Sequence, residues 1–363
     1  MNKCFRPGQE WVDTEGNRIQ AHGGSVIYVD NKYYWYGENK EKTLPDSGLW
    51  HWGVRLYSSD DMYNWRNEGI IVPPSDDYDS PLHPTQYMDR PHIIYNKKTN
   101  TFVMWIKIMR RENMGQQYMT IAVADKITDE FKIIKTVQPL GYSSGDFDLV
   151  VDEKTNKAYI YFDKVHDFVH LEHQHKDVVC AELTDDYTDL TGNYSNYHDN
   201  SPYRVGIEAP AFCKYDGKMY LFLSRTTGYV PNPTECLVSD NYFGPWERIG
   251  RVHEGDRENL SFRSQISSIF KHPKKNNLFV ALADRWLMNL PDDLPDNLFE
   301  IANSQDDDRY ETLHDKRYYE VLRLNNAKVR DMSVARYVWL PIFFENGRPV
   351  IRWFDEWKWE DFE

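Results

Sequence analysis

The stretch DRPHIIYNKKTNTFVMWIK, residues 89–107, contains the pattern that decides the fold. A polar group comes first, and it is followed by the apolar segment HIIYN, the polar turn KKTN and the aromatic-rich segment TFVMWIK. Two short apolar segments joined by an Asn- and Lys-rich turn indicate an antiparallel β-hairpin. The stretch therefore predicts a hairpin whose first strand begins close to a polar residue, Asp89.

The same unit occurs four more times along the chain, which makes an internal repeat the first feature to interpret. The polar residues that precede the first strands are 57 to 67 residues apart, at His22, Asp89, Asp146, Glu208 and Gln265. The aromatic residues that open the second strands keep the same step, at Tyr33, Phe102, Tyr159, Tyr220 and Phe279. Two independent markers that advance together predict five copies of one structural unit, and a third strand follows in each copy.

These repeats predict an all-β fold, a five-bladed β-propeller in which residues 1–363 form a single domain. Radial packing of several small sheets leaves only short, protected strand edges, and almost no segment has a sustained helical period. One stretch, residues 287–336, is too long for a hairpin loop. We expect it to be a partly helical insertion in blade five, with a role as surface decoration, lid or subunit contact left open.

The first strand of each propeller blade lines the central axis, so the five polar residues should converge at one end of the channel. Carboxylates such as Asp89, Asp146 and Glu208 repel each other in a partly desolvated channel, so at least one should keep its proton near neutral pH. A protonated acid facing an ionised carboxylate is the arrangement that cleaves glycosidic bonds. Together with many Tyr and Trp faces for sugar rings, this ring predicts a glycoside hydrolase.

Ten motifs follow one another almost from end to end of the chain. They are AHGG at 21–24, YYWYGE at 33–38, LYSSDDMYNWRNEG at 56–69, MDRPHIIYN at 88–96, SGDFDLVVDEKTNKAY at 144–159, EAPAFCKYDGKMYLFLSRTTGYVPN at 208–232, GPWE at 244–247, SFRSQ at 261–265, DRW at 284–286 and YVWLP at 337–341. In these motifs the chain resembles glycoside hydrolase family 43, a family of inverting enzymes with a five-bladed propeller, and within it the exo-β-1,3-galactanase-like branch.

The resemblance implies a role for individual residues. Glu208 matches the general acid, and Asp146 matches the aspartate that tunes the pKa of the acid and orients it. The usual base, an aspartate on the first strand of blade one, is replaced here by His22 and two glycines. The galactanase-like branch shares this loss, and there a glutamine that Gln265 matches handles the water. The sugar-contacting positions of the family match Glu38, Asp89, Thr227, Asp284 and Trp286.

The predicted function is an inverting, exo-acting glycoside hydrolase that releases a terminal sugar from a plant-type polysaccharide or oligosaccharide, with a β-1,3-galactosidic bond as the first choice. Asp89 stands where the galactanase branch usually has a longer Glu. An α-L-arabinofuranosidase or a β-xylosidase of the same family is therefore an alternative. A non-catalytic carbohydrate-binding propeller is the alternative from another class, because the usual base is missing.

Composition excludes several other classes. The chain has 43 Lys and Arg against 57 Asp and Glu, a net charge of −14, and such an acid excess repels the phosphate backbone of nucleic acids. No apolar run approaches the roughly 20 residues of a membrane helix. No secretory signal is visible at the start, so we expect a cytoplasmic location unless a leader has been removed. The four isolated cysteines are expected to be reduced thiols.

We expect no required cofactor and assign no metal ligands, although a structural calcium ion in the channel is possible because some family members hold one. The histidines at 166, 170, 173 and 175 lie in one short run, which favours a polar loop in blade three over a metal site. The acidic run at 306–308 is interpreted as a solvated turn. The oligomeric state is left open.

Overall fold

The computed structural model describes residues 1–165, 176–203, 205–292 and 326–363, together with Leu294, Asp296, Phe299, Val321, Arg323 and Leu324. The described strands form five sheets, one for each sequence repeat. Blade one consists of β1 His22–Val29, β2 Lys32–Glu38, β3 Val54–Ser59 and β4 Arg66–Val72. Blade two consists of β5 Tyr87–Asn96, β6 Thr101–Arg110, β7 Asn113–Ala124 and β8 Lys132–Val137.

The other three blades repeat this order. Blade three consists of β9 Ser144–Val151, β10 Ala158–Lys164, β11 Asp177–Leu183 and β12 Leu190–His198. Blade four consists of β13 Ile207–Tyr215, β14 Lys218–Arg225, β15 Glu235–Ser239 and β16 Glu247–Arg251. Blade five consists of β17 His253–Glu254, β18 Gln265–Lys271, β19 Phe279–Arg285, β20 Arg336–Glu345 and β21 Arg348–Arg352. Strands within a blade pair antiparallel, except that β17 pairs parallel with β21.

The innermost strands close a ring around the axis. Strand β1 contacts β5, β5 contacts β9, β9 contacts β13, β13 contacts β18, and β18 contacts β1 again. The predicted five-bladed propeller is thereby confirmed, with each predicted polar residue within the first three positions of an innermost strand. That all 363 residues form one domain stays a prediction.

The hydrophobic core lies between neighbouring blades. Five clusters of buried side chains each join two adjacent blades, and the cluster between blades five and one is the richest in aromatic rings. In that cluster Trp35 of β2 packs against Trp339 of β20, with ring centroids 4.5 Å apart. Successive strand residues point to opposite faces, so aromatic strands such as YYWYG supply both neighbouring clusters. This explains most of the aromatic excess.

Three predicted features fall largely or wholly outside the described residues. The histidine run at 166–175 and the acidic run at 306–308 lie outside them, and so does most of the insertion at 287–336. Within the insertion, four of the described residues have helical backbone, namely Phe299, Val321, Arg323 and Leu324. All four cysteines are unpaired. In the described part of the chain, no helix has the length and apolar character needed to cross a bilayer.

Candidate active site

A cavity of about 400 Å³ opens at the end of the channel where the innermost strands begin. Six of the eight predicted site residues line it, namely Glu38, Asp89, Asp146, Glu208, Gln265 and Trp286. Its size is within the range of roughly 300–1,000 Å³ that is usual for small-molecule sites. The register brings Asp89, Asp146, Glu208 and Gln265 of blades two to five to the cavity, whereas blade one contributes Glu38 from its second strand and not His22.

Three of the innermost strands carry the same irregularity next to the polar residue. The pairing register shifts after His22 in β1, after Asp89 in β5 and after Glu208 in β13. The following residue has a left-handed backbone in each case, with φ of 60° at Gly23, 52° at Arg90 and 52° at Ala209. Such bulges re-aim side chains at the rim of a sheet. At Gly23 a Cβ would lie 2.2 Å from Glu38 Oε1, so this position needs glycine.

Gln265 is held by four hydrogen bonds. Its Oε1 accepts from Arg90 Nη2 at 2.7 Å and from Trp286 Nε1 at 3.2 Å. Its Nε2 donates to Glu208 Oε1 at 3.0 Å and to Ser224 Oγ at 2.9 Å. Because guanidinium and indole groups only donate hydrogen bonds, they fix which end of the amide faces Glu208. Gln265 thus presents N–H groups, and not its carbonyl oxygen, to the carboxyl group.

Glu208 is a carboxyl group of the pocket with a strongly raised pKa. Burial raises its pKa well above the ordinary value, and the negative charges of Asp146 and Asp163 raise the pKa further. Lys107 and Arg90 oppose this rise without cancelling it. A carboxyl group in this environment holds its proton to higher pH than an ordinary glutamate does, as an acid catalyst requires.

Asp146 is tied to two buried cations. Its Oδ1 lies 2.7 Å from Lys107 Nζ, and its Oδ2 lies 3.2 Å from Arg90 Nη2. Lys107 Nζ is also 3.8 Å from Asp89 Oδ2. Buried charges persist in proteins when they are paired and hydrogen-bonded. These contacts hold Asp146 in place beside Glu208.

A second charged group surrounds Glu38. Lys40 Nζ lies 2.7 Å from Glu38 Oε2 and 3.8 Å from Asp89 Oδ1, and the backbone N–H of Arg90 donates to Glu38 Oε1 at 2.9 Å. Burial raises the pKa of Glu38 to about 7, while Lys40 opposes the rise and Asp89 adds to it.

Close charge pairs connect the carboxyl groups of the pocket to buried cations. Glu38, Asp89 and Asp146 lie next to Lys40, Arg90 and Lys107. A fourth cation, Arg330, also lines the cavity. No ion pair within 4.0 Å joins Glu208 to these cations in the described part of the chain, and its pKa is raised well above the ordinary value.

Aromatic side chains form one wall of the pocket. Trp50 lies 4.4 Å from Tyr87 and 5.8 Å from Tyr229, and Tyr229 lies 5.2 Å from Trp286, measured between ring centroids. Trp50 also donates its indole N–H to Asp89 Oδ1 at 2.7 Å. A flat apolar wall beside polar side chains suits a sugar, which has an apolar face and hydroxyl groups at its edge.

Two predicted sugar contacts lie outside the pocket lining. The hydroxyl of Thr227 donates to the carbonyl of Val230 at 2.6 Å and accepts from Asn232 Nδ2 at 2.7 Å. Asp284 is 3% exposed, and its carboxylate contacts His22 and the backbone N–H of Gly23. In contrast to the prediction, neither the Thr227 nor the Asp284 side chain lines the cavity. Hydrogen bonds within the chain occupy the polar atoms of both side chains.

Asp284 supports the back of the pocket. Its Oδ1 lies 2.9 Å from His22 Nδ1, and its Oδ2 accepts from the backbone N–H of Gly23 at 3.0 Å. The His22 ring is 5.6 Å from Trp286 and stacks on Tyr337 at 4.8 Å. His22 therefore packs behind Trp286 and does not line the cavity.

Several lining residues were not predicted from the sequence. They are Trp50, Tyr87, Arg90, Lys107, Met109, Met114, Gln117, Thr226, Gly228, Ala327 and Arg330. Lys107 could have been found, because a lysine at the end of the apolar run TFVMWIK needs a buried partner. Arg330 carries no comparable signal.

No metal site is assembled in the part of the chain that the structure describes. Within residues 1–165, 176–203, 205–292 and 326–363, no three His, Cys, Asp or Glu side chains are grouped so that they could hold an ion. The optional calcium ion stays a prediction.

A five-bladed propeller with a carboxyl group of raised pKa, paired carboxylates and an aromatic wall in one pocket is the arrangement of a carbohydrate-cleaving protein. The family model described as Glycosyl hydrolases family 43 matches residues 19–294, and the chain belongs to this family. It is thus a glycoside hydrolase. No curated protein sequence matches the chain.

Solved structures give the same assignment. A family 43 β-1,3-galactosidase is 26% identical with a TM-score of 0.79, over 100% of this chain and 65% of its own length. A second β-1,3-galactosidase, solved with galactodeoxynojirimycin, is 26% identical with a TM-score of 0.77, over 98% and 100% of the two chains. An exo-β-1,3-galactanase from Phanerochaete chrysosporium, solved with β-1,3-galactotriose, shares the fold at 22% identity and a TM-score of 0.75. The similarity covers 98% of this chain and 68% of the galactanase chain.

Proposed function

We propose that this protein is an inverting, exo-acting glycoside hydrolase that releases a terminal galactose from β-1,3-linked galactosides. The observation that carries the proposal is the carboxyl group of Glu208, which burial and the charge of Asp146 give a raised pKa, in a sugar-sized pocket. The choice of galactose is supported by the likeness to two β-1,3-galactosidases, each 26% identical to this chain.

In the proposed reaction Glu208 gives its proton to the oxygen of the leaving sugar. Gln265 Nε2 donates to Glu208 Oε1, so Oε1 acts as the acceptor oxygen and the proton resides on Oε2. Asp146 keeps the pKa of Glu208 high by like-charge repulsion. General acid catalysis of this kind contributes about 10²- to 10⁴-fold to a rate.

The attacking water is assigned to Gln265, which stands in for the missing aspartate base. A neutral amide is a very weak proton acceptor, so it holds and orients the water molecule without taking its proton. As the new C–O bond forms, that proton passes to solvent, and Glu208 regains a proton from solvent for the next turnover. The 3.0 Å contact between Gln265 and Glu208 is much shorter than the roughly 6.5–9.5 Å that separates acid and base in inverting enzymes. The amide must therefore part from Glu208 when a sugar enters between them.

A substrate panel tests the proposal. The enzyme is incubated with β-1,3-galactobiose and with the nitrophenyl glycosides of β-galactose, α-L-arabinofuranose and β-xylose. We expect release of galactose from the two galactosides. Preferential cleavage of the arabinofuranoside or the xyloside would overturn the choice of sugar. Binding without product over days at high enzyme concentration would overturn catalysis and indicate a binding propeller.

Replacing Asp146 with Asn is expected to lower the pKa of Glu208. The variant removes a negative charge that raises this pKa and leaves Lys107 and Arg90, which lower it, uncompensated. The acid is active only when protonated, so kcat falls as pH rises through the pKa of Glu208. The alkaline limb of the kcat profile should therefore move to lower pH, which pH–rate measurements on folded protein would show.

The control for this profile is Asp240→Asn, because Asp240 is exposed and far from the pocket in the fourth blade. Its pH profile should match that of the wild type. An alkaline limb of Asp146→Asn that stays in place, or that moves to higher pH, would contradict the assigned electrostatic role.

A further inference from the structure

The described end of the blade-five insertion, residues 326–335, is anchored on blade one. We call residues 326–335 the strap. The backbone N–H of Asp46 donates to the carbonyl of Ala327 at 3.1 Å, and that of Met332 donates to the carbonyl of Thr43 at 3.0 Å. Gln20 Nε2 donates to the carbonyl of Ser333 at 2.9 Å. These three hydrogen bonds hold the strap in place against blade one, at the side of the pocket.

The strap also packs against the aromatic wall of the pocket. Met332 and Ala335 are buried with Trp286, and Tyr229 packs against this cluster. An ordered, partly buried segment positions a binding residue better than an exposed loop does. The strap therefore belongs to the rigid frame of the pocket.

Exposure increases from the carboxyl groups toward the mouth of the pocket. Glu38 is 1% exposed and Asp146 is 6% exposed, whereas Met114 is 40% exposed. Ala327 and Arg330 line the cavity, and Ala327 is exposed while Arg330 is half-buried. The strap and the hairpin between β6 and β7 thus form the mouth, and the carboxyl groups lie at the bottom.

Arg330 is held against two rings of the aromatic wall. Its guanidinium carbon lies 4.3 Å from the ring centroid of Tyr229 and 5.5 Å from that of Trp50. A stacked guanidinium uses its face for the rings, and its N–H donors lie in its plane. A guanidinium held by its face in this way can donate hydrogen bonds from its edge to a hydroxyl-bearing group at the mouth.

We propose that Arg330 is a specificity-determining residue that hydrogen-bonds the leaving-group sugar, and that the strap restricts the pocket to one terminal sugar. The inference rests on the proposed function. A terminal sugar at the bottom of the pocket meets the carboxyl groups, and its glycosidic oxygen meets Glu208. The rest of the substrate then leaves through the mouth, beside Arg330. A planar fork of donors suits two neighbouring hydroxyl groups of that next sugar.

The test compares a substrate that has a leaving-group sugar with one that lacks it. We expect Arg330→Ala to lower kcat/KM on β-1,3-galactobiose about 10- to 100-fold, the range for a lost hydrogen bond to a charged group. On nitrophenyl β-galactoside the loss should be much smaller. Arg330→Lys keeps the charge without the planar fork and should retain only part of the disaccharide activity. If the Arg330→Ala variant does not fold, the comparison of the two substrates is made with Arg330→Lys.

The matched control is Lys328→Ala, which removes one positive charge from an exposed position of the same strap. It should leave both substrates near wild-type rates. Equal losses on the two substrates in both Arg330 variants would overturn the inference, because Arg330 would then only support the wall. If the wild type cleaves a different sugar, the proposed function fails, and the same comparison is made with the disaccharide and nitrophenyl glycoside that it does cleave.

Discussion

Replacing Glu208 with Gln is expected to lower kcat on β-1,3-galactobiose by about 10²- to 10⁴-fold, the usual contribution of a general acid. An amide has nearly the same shape as the carboxyl group but has no proton to give to the leaving oxygen. The loss should be smaller on a nitrophenyl galactoside, because a good leaving group needs less protonation. Steady-state kinetics on the two substrates measure the difference.

The control for this substitution is Glu247→Gln on the exposed face of β16. It removes the same charge far from the pocket and should not change either rate. Disaccharide turnover by Glu208→Gln at a near wild-type rate would contradict the acid assignment. So would equal losses on both substrates, because the leaving group would then not matter.

Replacing Gln265 with Ala is expected to have the second largest effect, a loss in kcat of about 10²- to 10³-fold on both substrates. The magnitude follows that for losing one preorganised polar group at a reacting centre. The kcat should fall on both substrates, because a water molecule attacks the anomeric carbon in both reactions. Losing the hydrogen bond to Glu208 Oε1 should add a further loss on the disaccharide, where protonation matters more.

Ser224→Ala is the matched control, because it removes another hydrogen-bond partner of Gln265 Nε2 and leaves the amide in place. Arg90 and Trp286 still hold the amide oxygen, so the control should lose little activity. If Gln265→Ala affected only the disaccharide, Gln265 would position Glu208 and would have no part in holding water.

The fold and the outline of the site were predictable because both follow from one register. The polar residue of each repeat marks the start of an innermost strand, so counting repeats was enough to place Asp146, Glu208 and Gln265 in one pocket. The bulges after His22, Asp89 and Glu208 leave that prediction intact, because they lie within the same strands.

The partners of these residues were not predictable in the same way. Lys107 of blade two pairs with Asp146 of blade three, and no sequence spacing specifies a contact between blades. Trp50 and Tyr229 lie in connections whose path depends on tertiary packing. Arg330 reaches the mouth only because the strap is anchored on blade one.

Asp284 shows why a matching motif can place a residue near a site without placing its side chain in it. Residues of a strand alternate between two faces, and Asp284 pairs in register with Gln265. Its carboxylate is nevertheless occupied by His22 and the Gly23 N–H. The glycines beside His22 let the backbone approach closely enough for this contact, and the resulting pair supports Trp286.

The most direct test of the central claim is proton NMR of β-1,3-galactobiose during the first minutes of hydrolysis. Inversion at a β-linkage gives α-galactose first, before mutarotation supplies the β-anomer. We predict early α-anomer signals from wild-type protein and none from Glu208→Gln over the same time. Early appearance of β-galactose, or no galactose at all from the wild type, would contradict the account.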